Sequence, residues 1–277
     1  MKPAWERLNP EQRSAAVHED GPALVVAGPG TGKTTTLVAR YAYLVQALGI
    51  HPQRIFTTSF TRRAARQLRD RLGRAGITLP RRAPVGTFHA LCLQILQARG
   101  ARFEILEEGK SRALLDEVQR GPGERLRLDE LRAFKTQLLS PDDVHAGAKD
   151  SKARQLAEAY RAYEAAKSER GAVDYEDLLG RVVELYREDE SDLPRFDYLM
   201  VDEYQDLNAA QDVLIAALRG EHTNVWAVGD DDQAIYGFRG SDTRFITDFE
   251  RTYPGAKVIT LREHYRTPSK LLERSST

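Results

Sequence analysis

A chain of 277 residues with 41 basic and 41 acidic side chains, 41% hydrophobic and 30% charged residues and a mean hydropathy of −0.51 has the composition of an ordinary globular protein. Those values exclude a disordered or low-complexity chain. The single Cys92 excludes an internal disulfide, no apolar run approaches the ~20 residues that span a bilayer, and "MKPAWERLNPEQRSAAV" lacks a secretory apolar segment, so a reducing cytoplasm is the expected compartment.

In chain order, the first apolar run, "ALVVA" (Ala23 to Ala27), reads as a strand and leads through "GPGTGKTT" into a helical pattern from Lys33 toward Leu48. Strand, GxxxxGK[ST] and helix together are the setting of a phosphate-binding loop. Glycines 28, 30 and 32 allow backbone conformations closed to other residues, so that N–H groups point inward at an anion. Gly28, Pro29, Gly30, Thr31, Gly32, Lys33, Thr34 and Thr35 are thus predicted to cradle a nucleotide, with Lys33 neutralising its outer phosphates and the Thr34 hydroxyl ligating Mg²⁺. A glycine-rich turn with a solvated lysine leaves the flanking strand and helix unexplained. Arg40, one to two turns into the helix, is placed either to approach the nucleotide or to pair with a surface acid.

Strands at "RIFTTS" (Arg54 to Ser59) and "APVGT" (Ala83 to Thr87), with helices from Arg62 toward Leu72 and from Phe88 toward Ala98, continue a βα alternation that predicts a parallel sheet with crossover helices. Between Arg54 and Arg82 there are nine arginines against one acid, Asp70, whereas Glu184 to Asp206 is mainly acidic. From about Gly100 to Gly171 only amphipathic helical stretches occur, which reads as an all-helical insertion. Strands resume at "FDYLMVD" (Phe196 to Asp202), "NVWAVGD" (Asn224 to Asp230) and "AKVITL" (Ala256 to Leu261).

An apolar strand ending in carboxylates is where a phosphate loop finds its metal partner. In "YLMVDEYQD", Asp202 is predicted to hold Mg²⁺, and Glu203 to orient or deprotonate an attacking water. In "VGDDDQAIYGFRGSD", Gln233 is predicted to face a γ-phosphate, while Tyr236 and Phe238 offer flat surfaces to a stacked base.

These segments resemble, in order, the motifs of UvrD/Rep-like superfamily 1 DNA helicases. "LNPEQRSAAV" resembles their adenine-recognising Q motif, "AGPGTGKT" motif I, "TSFTRRAARQL" motif Ia, "VGTFHALCLQIL" motif Ib, "YLMVDEYQDLNAAQ" motif II and "VGDDDQAIYGFRGSD" motif III. "VDYEDLL" (Val173 to Leu179) resembles a further family segment, and "HYR" at His264 to Arg266 resembles motif IV, with histidine at its usual asparagine. Phe238 stands where motif III commonly has tryptophan.

The resemblance implies an α/β fold of the RecA-like P-loop NTPase type. Motor domain 1A is expected at 1–99 and 172–262, the helical insertion 1B at 100–171, and the start of a second motor domain at 263–277. It implies ATP and Mg²⁺ as cofactors, Gln12 as reader of the adenine edge, Tyr265 stacking on the adenine and Arg266 reaching the γ-phosphate. It also implies a path for single-stranded DNA over Phe60, Arg62, His89, Tyr236, Phe238 and Arg239, independent of base sequence. The expected activity is that of the N-terminal motor half of a monomeric ATP-dependent DNA helicase moving 3′ to 5′. Completion by a missing C-terminal region (2A, 2B), poor turnover by this chain alone and a loosely docked tail after Pro268 are expected with it. A short ATP- or single-stranded-DNA-binding module without motor activity is the alternative, and the motor part of a helicase–nuclease a third option.

Overall fold

The computed structural model describes residues 2–119, 123–188, 193–220, 223–230 and 244–265. In chain order its elements are α1 (Pro10–Ala16), β1 (Ala23–Ala27), α2 (Lys33–Gln46), β2 (Ile55–Thr58), α3 (Arg62–Arg74), β3 (Val85–Gly86), α4 (Phe88–Ala98), β4 (Glu104–Ile105), α5 (Glu108–Val118) and α6 (Leu128–Thr136). There follow α7 (Pro141–Ala146), α8 (Ser151–Glu169), β5 (Ala172–Val173), α9 (Asp177–Glu188), β6 (Tyr198–Val201), α10 (Ala209–Leu218), β7 (Asn224–Gly229), α11 (Arg244–Thr247), α12 (Phe249–Thr252) and β8 (Lys257–Leu261). Among the described residues no helix is long and apolar enough to cross a membrane.

The chain divides into two compact units, the first formed by Met1–Leu91, Pro194–Leu207 and Leu218–Thr277. It contains a six-stranded sheet of order β3-β2-β6-β7-β1-β8 in which each pairing is parallel. The central strands β2 and β6 are buried at every position, the pattern of a parallel sheet covered on both faces. Edge strand β3 is only two residues long, shorter than the expected Ala83 to Thr87, because Pro84 has no N–H to give a ladder and contributes its carbonyl to Thr57 N instead (2.8 Å). In α3, Ala65, Leu68 and Leu72 recur at helical spacing and are buried, while none of the arginines between them joins the buried core. Its start is capped by Thr61, whose hydroxyl accepts from Ala64 N at 3.0 Å. α1 opens with Pro10 at its first position and a reciprocal capping box between Asn9 and Gln12.

All these strands run parallel, so their C-terminal ends share one edge of the sheet. There β1 leads into the glycine loop, β2 into Ser59 and Phe60, β6 into Asp202 and Glu203, β7 into Asp230, and β8 into the segment ending at Tyr265. That edge is where an open α/β sheet places its ligands.

The second unit comprises Cys92–Leu193 and Asn208–Ala217. Residues 92–99, 172–193 and 208–217 therefore group with the region expected to be an insertion, rather than with the sheet. Nor is the insertion purely helical: β4 and β5 pair in parallel, with Leu106 N donating to Val173 O at 2.8 Å. A two-residue strand is too short to leave an alternating pattern in sequence. The unit's core gathers Leu106, Leu114, Leu115, Leu126, Leu131, Tyr160, Tyr163 and Ala172. "VDYEDLL" supplies the start of α9, where Asp174 Oδ1 accepts from Asp177 N at 3.1 Å and Asp177 Oδ2 accepts from Asp174 N at 2.9 Å. Within this unit Lys135 and Lys167 are buried against Glu164, Asp174 and Asp177.

Candidate nucleotide site

The loop after β1 folds on itself, Thr31 donating to Gly28 O through both its N–H (3.4 Å) and its hydroxyl (2.8 Å). Gly30 and Gly32 take positive φ of 84° and 91°, and Gly32 is the N-cap of α2. A Cβ at Gly32 would also stand 2.5 Å from Gln12 Nε2, so both its conformation and its surroundings require glycine. Lys33 is then the first residue of a 14-residue helix, whose first N–H groups have no intrahelical acceptors and lie at a positive helix end.

A cleft of about 530 Å³ opens here, bordered by Gln12, Pro29, Gly30, Gly32, Lys33, Thr34, Thr35, Glu203 and Tyr265 together with Arg7, Leu8 and Arg71. Lys33 Nζ lies 3.5 Å from Glu203 Oε2 and 3.4 Å from Asp230 Oδ2. Gln205 ties these two acids together, its Nε2 donating to Glu203 Oε2 (2.9 Å) and its Oε1 accepting from Asp230 N (3.0 Å). The approach is so close that a Cβ at Gly229 would meet Gln205 Oε1 at 2.9 Å. Glu203 itself sits in the left-handed region at φ 51°, ψ 52°, a conformation that costs a non-glycine residue of order 1 kcal/mol and is held here by Lys33 and Gln205.

Asp202, next along, has its pKa pushed up to about 7 by burial and then by the neighbouring Glu203 carboxylate, against the pull of Lys33. A carboxylate driven toward neutrality beside a second carboxylate fits a divalent cation, which would restore its charge. The donor set of Thr34 and Asp202 is all oxygen, as Mg²⁺ requires.

On the other side of the cleft, Gln12 Nε2 donates to Thr31 O (2.8 Å) and its Oε1 accepts from Asn9 N (3.3 Å), so in this structure Gln12 braces the phosphate loop. The segment after β8 docks against the same elements. Arg262 N donates to Glu11 Oε2 (2.8 Å), His264 Nδ1 lies 3.2 Å from Pro29 O, and Tyr265 N donates to Gly30 O (3.0 Å). Asn9 Nδ2 donates to both Glu263 Oε2 (2.9 Å) and the Tyr265 hydroxyl (2.8 Å), fixing a ring that is 56% exposed and borders the cleft.

Arg40 is a correction to the nucleotide set. Two turns into α2, its guanidinium is fully buried away from the cleft lining, Nη1 donating to Ala16 O (3.2 Å) and to His18 O at the end of α1, 5.5 Å over the Tyr198 ring. Burial lowers its pKa to about 10. Arg40→Met is therefore expected to lower stability by about 2 kcal/mol while leaving nucleotide affinity within twofold of wild type, as read by chemical unfolding alongside nucleotide titration.

Of the residues predicted to meet DNA, Phe60 is 41% exposed after β2 and Arg62 is exposed at the first position of α3. His89 is half-buried at the second position of α4, its pKa lowered by burial and then by the charge of Arg62, so it is neutral at pH 7. Gln233, Tyr236, Phe238, Arg239 and Arg266 lie outside the described residues, as does the tail after Pro268.

Sequence reasoning passed over Arg71, Gln205, Asp230, Asn9 and Glu263. Asp230 and Gln205 stood inside quoted motifs, at a strand end and three residues beyond Asp202. Arg71 gave a weaker signal, an arginine on the flank of α3 opposite Arg69.

The chain is similar to known proteins over most of its length. The family described as the UvrD/REP helicase N-terminal domain matches residues 8–254. ATP-dependent DNA helicase UvrD1 of Mycobacterium tuberculosis is 36% identical over 304 residues, covering 98% of this chain and 39% of that protein. ATP-dependent DNA helicase PcrA of Leuconostoc citreum is 35% identical over 286 residues (96% and 38%), and PcrA of Staphylococcus aureus 32% identical over 289 (98% and 40%). The chain thus spans about two fifths of the length of the curated relatives it matches. With a phosphate loop, an acid pair and a bracing glutamine at one edge of a parallel sheet, and a match across 8–254, the chain belongs to the UvrD/REP helicase N-terminal domain family.

Proposed function

We propose that this chain is the ATP-binding motor portion of a DNA helicase that tracks single-stranded DNA from 3′ to 5′, with the sheet unit acting as motor domain 1A and the second unit as 1B. The observation that carries the reading is the meeting of Lys33, Glu203 and Asp230 at the ends of β1, β6 and β7, beside a glycine loop that lines a cleft.

In this reading the loop from Gly28 to Thr35 binds the phosphates and Lys33 neutralises the outer ones, exchanging Glu203 and Asp230 for phosphate oxygens. Tyr265 stacks on the adenine, and Gln12 turns from the loop to the adenine edge. Thr34 and Asp202 would hold Mg²⁺, which would supply neutralisation of the phosphate charge. Glu203, released by Lys33 and steadied by Gln205, orients a water and takes its proton on a carboxylate oxygen. Gln233 and Arg266 act at the γ-phosphate, and Phe60, Arg62, His89, Tyr236, Phe238 and Arg239 carry the strand by stacking and phosphate contact. Further cations, facing the cleft from a second RecA-like domain, stabilise the charge that develops in the transition state.

DNA-stimulated ATP hydrolysis by the 277-residue chain tests this. Measurable but weak nucleotide binding, slow turnover and no unwinding are expected. Glu203→Gln is expected to reduce the residual turnover by ~100-fold or more with nucleotide affinity within about threefold. Robust turnover and unwinding by the monomer would overturn the assignment of part of the site to a second domain, and unchanged turnover in Glu203→Gln would remove Glu203 from its role.

A further inference from the structure

Helix α3 has four distinct sides. One is buried through Ala65, Leu68 and Leu72. On one flank Arg69 points back into the fold, its Nη1 donating to Ala83 O (3.3 Å) and Val85 O (2.9 Å), and on the opposite flank Arg71 borders the nucleotide cleft. The remaining outward arc carries Arg62, Arg63, Arg66 and Arg74, all exposed, with Asp70 as its only acid. Arg69 also fastens the chain just before β3 alongside this arc, which brings the exposed Arg81 and Arg82 to the same edge of the sheet.

The arc does not stand apart from the residues assigned to DNA. It begins at Arg62, close enough to His89 to lower that residue's pKa, and immediately after the exposed ring of Phe60. From there it runs the length of a 13-residue helix, about 20 Å at 1.5 Å per residue, toward Arg74. A solvated helix face ordinarily mixes charges of both signs. The chain as a whole has equal numbers of acids and bases, so six exposed arginines against one acid on one edge are a concentration of charge that the composition does not require.

We propose that this outward arginine face of α3, with Arg81 and Arg82, is a phosphate-binding track that continues the path of single-stranded DNA off the platform of Phe60 and His89 and down the β3 edge. The inference rests on the assignment of single-stranded DNA as ligand. Guanidinium groups bind phosphates in a bidentate fashion and release counterions from the strand, so such a track adds affinity without base preference and makes the binding steeply dependent on salt.

The test is the salt dependence of oligo-dT binding to the 277-residue chain, comparing wild type with Arg63→Gln/Arg66→Gln/Arg74→Gln and with Arg81→Gln/Arg82→Gln. Each single-strand phosphate contact contributes about 0.7 to the slope of log K against log salt. The triple variant is therefore expected to flatten the slope by about 2 and the double variant by about 1.4 on a strand long enough to leave the platform. Both variants should match wild type on a strand of about eight nucleotides that occupies the platform alone. Melting temperature and nucleotide affinity are expected to be unchanged, because none of these five residues borders the cleft or belongs to the buried core. Binding with an unaltered slope on the long strand overturns the track and leaves the DNA assignment standing. A slope change confined to blunt duplex overturns it in favour of a duplex-binding face, and failure of wild type to bind any oligonucleotide overturns the DNA assignment itself.

Discussion

Replacing Lys33 with alanine is expected to weaken ADP or ATP binding by about 100-fold. In the proposed reading the ammonium at the first position of α2 makes charge-assisted hydrogen bonds to phosphate oxygens, and losing about 3 kcal/mol of such bonds corresponds to that factor. Nucleotide titration by calorimetry reads it directly, and equal affinity in mutant and wild type would discredit the phosphate-loop assignment. The structure adds a second expectation. Lys33 faces Asp230, a carboxylate with 0% exposure, at 3.4 Å. Lys33→Ala is therefore expected to cost about 1–3 kcal/mol of stability as well, because a buried acid loses a cation. Lys33→Ala/Asp230→Asn should recover part of that stability and none of the affinity. This separates the two proposed roles of one lysine: binding phosphate, and neutralising the site when phosphate is absent.

The legible parts of this site were those in which local chemistry and position along the chain coincide. A strand, three glycines at alternate positions and a lysine at a helix start specify their own geometry, because only glycine reaches a φ of 91° without strain and that glycine is the N-cap of the helix. Asp202 and Glu203 were legible because an apolar strand that ends in two acids leaves them at the sheet's C-terminal edge. Asp230 and Gln205 were not, since their role exists only once β6 and β7 lie side by side and Gln205 spans the gap between them. Arg40 was misplaced for a related reason. Helical spacing gave its height on α2 but not its direction, which is set by the carbonyls left open at the end of α1. The short β4–β5 pairing escaped because two residues carry no periodicity, and the division into units departed from the expected boundaries because compactness is a property of contacts rather than composition.

Lys135→Met is expected to destabilise the second unit by about 3–5 kcal/mol, the cost of removing one partner from a buried ionic cluster. Lys135 Nζ lies 2.5 Å from Asp174, 2.7 Å from Asp177 and 2.7 Å from Glu164, while Lys167 Nζ lies 2.5 Å from Asp177, 2.8 Å from Glu164 and 3.2 Å from Asp174. The three acids stand close enough to suggest a metal centre, yet two ammonium groups already occupy the position a cation would take. With Lys135 gone, three carboxylates share one lysine. The same cluster sets a dependence on pH. Burial works to raise the pKa of Asp177, but Lys135 and Lys167 outweigh it and hold the value down to about 2, against an ordinary 3.8. A carboxyl whose pKa is depressed on folding contributes stability that is fully present above the unfolded value and is lost as pH falls through the folded one. Asp177 therefore supports the unit above about pH 4 and withdraws about 2 kcal/mol between about pH 4 and pH 2. Lys135 behaves with the opposite sign: burial opposes its charge, but Asp177, Asp174 and Glu164 raise its pKa well above 10.5, so its contribution persists at neutral pH and is lost only in strong alkali. Denaturant unfolding followed across pH should show a fall on acidification that is much reduced in Asp177→Asn. A fall of equal size in that variant would assign the acid sensitivity to other carboxylates, and a Lys135→Met protein as stable as wild type would show that Lys167 alone satisfies the three acids.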